Sequence, residues 1–134
     1  MRFIFSLVLV LFSTIILSQT QLGSDITGEQ SGDWFGKTVS ISDDGTTLAV
    51  GAGFNDGNGS NSGHVRVFEF TNGSWIQLGL DIDGEDSGDQ SGGYLSLNSE
   101  GNIVAIGAPG NDNNGSNSGH VRVFEFTNGS WIQL

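Results

Sequence analysis

Sliding the sequence along itself by 56 positions aligns residues 21–78 with residues 77–134 without a gap, and 39 of the 58 pairs are identical. Within this alignment GHVRVFEFTNGSWIQL stands at residues 63–78 and returns letter for letter at residues 119–134. A fixed period of this length marks a repeat architecture, in which one supersecondary unit cannot bury its apolar face alone and depends on its neighbours.

Each unit reads as four short strands. In the first, KTVSIS alternates polar with apolar and is followed by the tight turn Asp43-Asp44-Gly45. TTLAVGA is a more continuous apolar run, the pattern of a strand buried on both faces. After a loop of Gly, Asn, Asp and Ser comes HVRVFEF, then Asn72-Gly73, which suits a type I′ hairpin, then SWIQL. The second unit keeps these offsets in GYLSLN, NIVAIGA and the repeated HVRVFEF, with Leu95 for Val39, Val104 for Leu48 and Ile106 for Val50. Gly and Asn interrupt every window long enough for an amphipathic helix.

The expected fold is therefore all-β: two four-stranded antiparallel blades of β-propeller type, an incomplete propeller, behind an N-terminal signal helix. A stacked solenoid is the second all-β reading, disfavoured by the Asn-Gly hairpin, which specifies a meander. The boundaries are residues 1–18 for the signal peptide, 19–76 for the first blade, 77–132 for the second, and 133–134 for the start of a third repeat.

The leader assignment rests on Arg2, an apolar run over residues 3–17, and the small or polar Ser18, Gln19 and Thr20. Such a run is short for the roughly 20 residues that a membrane-spanning helix needs, so cleavage after Ser18 with no stable span is expected. The chain beyond residue 18 keeps Lys37, Arg66 and Arg122 against fifteen acidic residues, a net charge of −12. No basic patch can be assembled from three cations, which excludes phosphate-driven nucleic-acid binding and disfavours anionic membrane surfaces. There is no cysteine, so stability must come from the core, from metal, or from further blades or self-association.

The segment from SGDWFGKTVSIS to HVRVFEF resembles an FG-GAP repeat, the blade motif of the integrin α-subunit propeller and of many exported bacterial proteins. Phe35-Gly36 and Gly51-Ala52-Gly53 carry the motif in the first unit; Gly107-Ala108-Pro109 carries its second half in the second, where Ser91-Gly92 replaces Phe-Gly. The resemblance implies a secreted or cell-surface propeller used for adhesion or recognition, with an extracellular protein or a glycan as ligand. Arrays of this kind are normally longer, and the stop at Leu134 reads as that of a fragment.

Integrin-type FG-GAP blades often bind calcium in an acidic hairpin between the FG and GAP strands. Here that hairpin is reduced to Asp43-Asp44-Gly45 and Ser99-Glu100-Gly101, too few oxygens for an ion that takes six to eight, and it reads as a plain turn. The calcium candidates are instead Asp81, Asp83, Glu85, Asp86 and Asp89, five carboxylates within nine residues, set against the plainer reading of a solvated acidic loop. The Asn, Gly and Ser loops over residues 55–62 and 111–118 are the other recognition candidates, set against flexible connectors. His64 and His120 recur without the ligand partners a catalytic or metal site needs, and repetition points to a structural role. The reading that follows is a non-catalytic binding or adhesion module, not an enzyme. The alternatives are blades of a larger propeller enzyme whose catalytic residues lie outside this chain, and a structural spacer.

Overall fold

The computed structural model describes residues 19–134; the signal peptide expected over residues 1–18, and its helix, lie outside the described residues. The described residues hold nine strands and no helix: β1 (Thr38–Ile41), β2 (Thr47–Ala52), β3 (His64–Thr71), β4 (Ser74–Gln77), β5 (Ile82–Asp83), β6 (Tyr94–Leu97), β7 (Ile103–Ala108), β8 (His120–Thr127) and β9 (Ser130–Gln133). They form two antiparallel meanders, β1-β2-β3-β4 and β6-β7-β8-β9. The register repeats with the sequence: Thr38 faces Gly51 as Tyr94 faces Gly107, and Phe70 faces Trp75 as Phe126 faces Trp131. These are two blades of propeller type, as the period implies.

The turns are set by residues that tolerate a left-handed backbone. Asn72 and Gly73 sit at φ 50° and 82°, and Asn128 and Gly129 at 51° and 84°, which is the type I′ geometry matched to strand twist. Across each hairpin the aromatic pair closes at 5.2 Å between ring centroids. The Trp75 and Trp131 indoles donate to the Leu22 and Leu78 carbonyls, tying the hairpin to the lead-in of its own unit.

One element departs from the expected plan. Ile82–Asp83, within the stretch read as an acidic loop, is a strand, and it pairs with Val65 and His64. The reason is burial: Ile82 is among the core residues, and the chain after β4 returns to the same edge of β3 once it has bulged out over residues 79–81. Thus β4 and β5 together cover the length of β3, and the first sheet has five strands.

The core lies between the sheets. Partners in an antiparallel register share a face, so Thr38, Gly51 and Val65 lie on one face of the first sheet together with Ser40, Ala49 and Val67. This back face meets Leu97, Val104, Ile106 and Phe124 on the front face of the second sheet. Burial of each such aliphatic or aromatic side chain contributes about 1.5–3 kcal/mol. Small residues permit the approach: a Cβ on Gly51 would overlap the Gly92 carbonyl and the Thr38 hydroxyl. The seam is closed by polar bonds as well, Thr38 Oγ1 to the Gly92 carbonyl at 2.6 Å and the Leu97 N–H to Ser40 Oγ at 3.0 Å.

Candidate functional site: the polar loops and the acidic lead-in

The acidic residues of the second lead-in are divided between two places. Asp81 accepts from Gln77 Nε2 at 2.6 Å, lies 3.5 Å from His64 Nδ1 and 3.8 Å from Arg66 Nε, and groups with Glu29 and His64. Asp83 is exposed on β5. Glu85 lies 3.6 Å from Arg122 and 3.9 Å from His120, and groups with Asp89 and His120. Asp86 is exposed, and its N–H donates to Asp89. The side chain of Asp89 is turned inward: it is buried and accepts from Asn111 Nδ2 at 3.0 Å.

The chain therefore brings together two clusters, each of two carboxylates, a histidine and a neighbouring arginine, in which Glu29/Glu85, His64/His120 and Arg66/Arg122 are repeat-related while Asp81 and Asp89 are not counterparts. Arg66 reaches Glu29 at 3.9 Å as well as Asp81, and stacks over Phe35 and Phe68; Arg122 stacks over Phe124. A dication that prefers six to eight oxygens fits this donor set poorly, because each cluster offers an imidazole nitrogen and already holds a guanidinium as counter-charge. An ion-pair and hydrogen-bond network that fixes the lead-in to β3 or β8 is the chemistry these groups support. The hairpin acids are likewise committed locally. Hydrogen bonds from Ser42, then from the Thr46 N–H and hydroxyl, hold the Asp44 carboxyl below its ordinary value, and the Ser99 hydroxyl does the same for Glu100.

The polar loops are built, not slack. In the first, Asn55 is buried; its Nδ2 donates to the buried Asp33 at 2.8 Å, and its Oδ1 accepts from the Gly57 N–H. Asp56 Oδ1 caps the Asn61 N–H, where φ is 52°. Asp89, Asn111, Asp112 and Asn117 repeat this arrangement in the second loop. These paired Asp–Asn bonds across 22 residues were not singled out from sequence, although Asp33/Asn55 and Asp89/Asn111 both survive the repeat shift. The loop reading as a flexible connector is corrected by this: buried side-chain bonds fix its backbone.

The first loop also carries the second unit. The carbonyls of Ser60, Asn61, Ser62 and Gly63 accept from the N–H groups of Gly88, Gln90, Ser91 and Gly84, at 2.8–3.0 Å. Asn58 Nδ2 adds a bond to the Gly84 carbonyl. Its most exposed polar groups, including Asp56 and Asn58, stand outward as do their counterparts Asp112 and Asn114, with Asn113 in place of Gly57 between them. Trp34 is exposed; its ring meets that of Phe54 at 4.8 Å in a tilted arrangement, with Lys37 Nζ above it.

The family model for the FG-GAP repeat matches residues 27–68, from the first lead-in to the middle of β3. No curated protein matches the chain.

Proposed function

With its first unit an FG-GAP repeat and its second built in the same register, we propose that the chain is a non-catalytic binding module of an exported or cell-surface protein, acting in adhesion or recognition. The observation that carries this reading is the duplicated loop: two copies of one polar surface, each held by a buried Asp–Asn bond, displayed by a stiff β scaffold. Rigid display lowers the ordering cost of binding, and duplication multiplies weak contacts through effective concentration. Asn, Asp and Ser side chains at these positions suit the hydroxyls of a glycan or the polar backbone of an extracellular protein. The order of residues 1–20 supports export.

The test is a screen of the full chain against glycan and matrix-protein arrays, repeated with N58A/N114A. Binding to a glycan or matrix protein that weakens at least several-fold in the double variant is expected. Binding unchanged by the loop substitutions would contradict the loops as the binding surface, and no binding to any member would favour the spacer reading.

A further inference from the structure

The two outer faces of the molecule match each other as the two inner faces do. Back and front are repeat-related: Tyr94, Ser96, Ala105, Gly107, Val121 and Val123 on the second sheet stand where Thr38, Ser40, Ala49, Gly51, Val65 and Val67 stand on the first. The first set is open, and the second is covered. Conversely, Val39 and Val50 on the front of the first sheet correspond to Leu95 and Ile106, which pack against the first sheet's back face. Val39 is 60% exposed, and beside it Ile26, Phe35, Leu48 and Val50 line a hollow of about 500 Å³.

The backbone groups match too. Inside the chain the carbonyls of residues 60–63 receive four N–H groups of the second lead-in. Their counterparts, the carbonyls of Ser116, Asn117, Ser118 and Gly119, have no hydrogen-bond partner among the described residues. Nor do the N–H groups of Gly28, Gly32, Trp34 and Phe35, the counterparts of the four donors. Four acceptors at one end and four donors at the other thus stand in the same order as the internal set. Ala105 and Gly107 keep the small side chains that, as Ala49 and Gly51, let a second sheet approach.

We infer that the chain assembles head to tail with copies of itself, the front face of one molecule seating on the back face of the next. Val121 and Val123 enter the hollow beside Val39, and the lead-in of residues 28–35 zips onto the carbonyls of residues 116–119. A heterologous contact closes into a ring when its rotation divides a full turn, as the rotation between neighbouring blades of a propeller does. At the two blades formed by residues 19–134 in each copy, and with propellers of about four to eight blades, a closed ring of this 134-residue chain holds about two to four copies. Among the departures from the internal seam, Tyr94 for Thr38 and Phe35 for Ser91 enlarge its apolar area, whereas Val39 for Leu95 and Val50 for Ile106 reduce it and the Thr38 hydroxyl bond has no counterpart.

The test uses sedimentation velocity and native mass spectrometry on the full chain and on V39D and V121D. Both substitutions are at exposed positions, and circular dichroism checks that each variant keeps its sheets. The wild type is expected to reach a single closed species of two to four copies with rising concentration, and each variant alone to stay monomeric. An equimolar mixture is expected to give a one-to-one dimer and nothing larger, because V121D keeps its front face and V39D its back face. A wild type that stays monomeric to submillimolar concentration, variants that assemble as it does, or a mixture without dimer would each overturn the inference. Should a variant fail to fold, hydrogen exchange on the wild type decides: slowing of the Gly28, Gly32, Trp34 and Phe35 amides with concentration supports assembly, and no change refutes it. These readouts need no ligand, so they stand or fall separately from the adhesion reading.

Discussion

Strands β3 and β8 have the same sequence, the same register within their meanders and the same hairpin, yet Val65 is 0% exposed and Val121 is 67% exposed. On β2 nearly every residue is buried, whereas on β7 burial alternates. The difference lies in what stands against each sheet. The back face of the first is covered by the front of the second sheet, with β6 lying against β1 and β2, and β5 extends the edge of β3; the back face of the second is open. Identical residues thus have different energetic roles, and the role is assigned by the neighbour, as nearest-neighbour coupling in repeat proteins requires.

The sharpest way to break this comparison is to place the same charge at both positions. Val65→Asp puts a carboxylate into the seam without a partner and is expected to cost more than about 3 kcal/mol. Val121→Asp at a dilution where the chain is monomeric should stay within about 0.5 kcal/mol, since it remains in water. Urea titration of both variants gives the difference directly, and equal losses would contradict the account.

Groups satisfied within one unit should lose the asymmetry. Asn55→Ala and Asn111→Ala each leave a buried carboxylate short of a donor, and both are expected to cost about 1–3 kcal/mol, alike within error. A much smaller loss in the second unit would mean that its loop is looser than its bonds indicate. Smaller still is Thr38→Ala, which removes the bond to the Gly92 carbonyl across the seam and should cost about 1 kcal/mol in thermal or urea unfolding.

The weakest effect is in the turns. Asp44 and its counterpart Glu100 are both held below their ordinary values, by Ser42 and Thr46 in one case and Ser99 in the other. A carboxyl lowered on folding stabilises the folded state above its unfolded value, and that stabilisation is lost as pH falls through the folded value. The window therefore opens below about pH 4. Asp44→Asn and Glu100→Gln should each flatten the acid limb of the pH–stability curve slightly and leave neutral pH nearly unchanged; a large change at pH 7 would contradict the hydrogen-bond origin.

Much of this fold is legible in the residues, and the remainder is hidden for identifiable reasons. Asn72-Gly73 and the alternation of KTVSIS mark local geometry, which local chemistry decides, and all four strands of each meander fall where those signals stand. The strand at Ile82–Asp83 is not visible, because one isoleucine between two aspartates carries no period and its pairing partner lies 17 residues upstream. The double burial of TTLAVGA holds for β2 and not for NIVAIGA on β7, since a run of small and branched residues records what a face can accept and not whether anything lies against it. The five carboxylates of the second lead-in look convergent in sequence; in space the bulge at residues 79–81 and the inward turn of Asp89 leave Asp81 beside His64, Glu85 and Asp89 beside His120, and Asp83 and Asp86 exposed outside both clusters.

The claim on which the account rests is that the back face of the first blade and the front face of the second are one packed unit. A double-mutant cycle on Val67→Ala and Ile106→Ala, which join the same core cluster from opposite sheets, measures this most directly. The expected coupling is about 0.5–3 kcal/mol, against none for the repeat-equivalent pair Val123 and Val50 in dilute monomer. Losses at Val67 and Ile106 that add to within about 0.3 kcal/mol would contradict it.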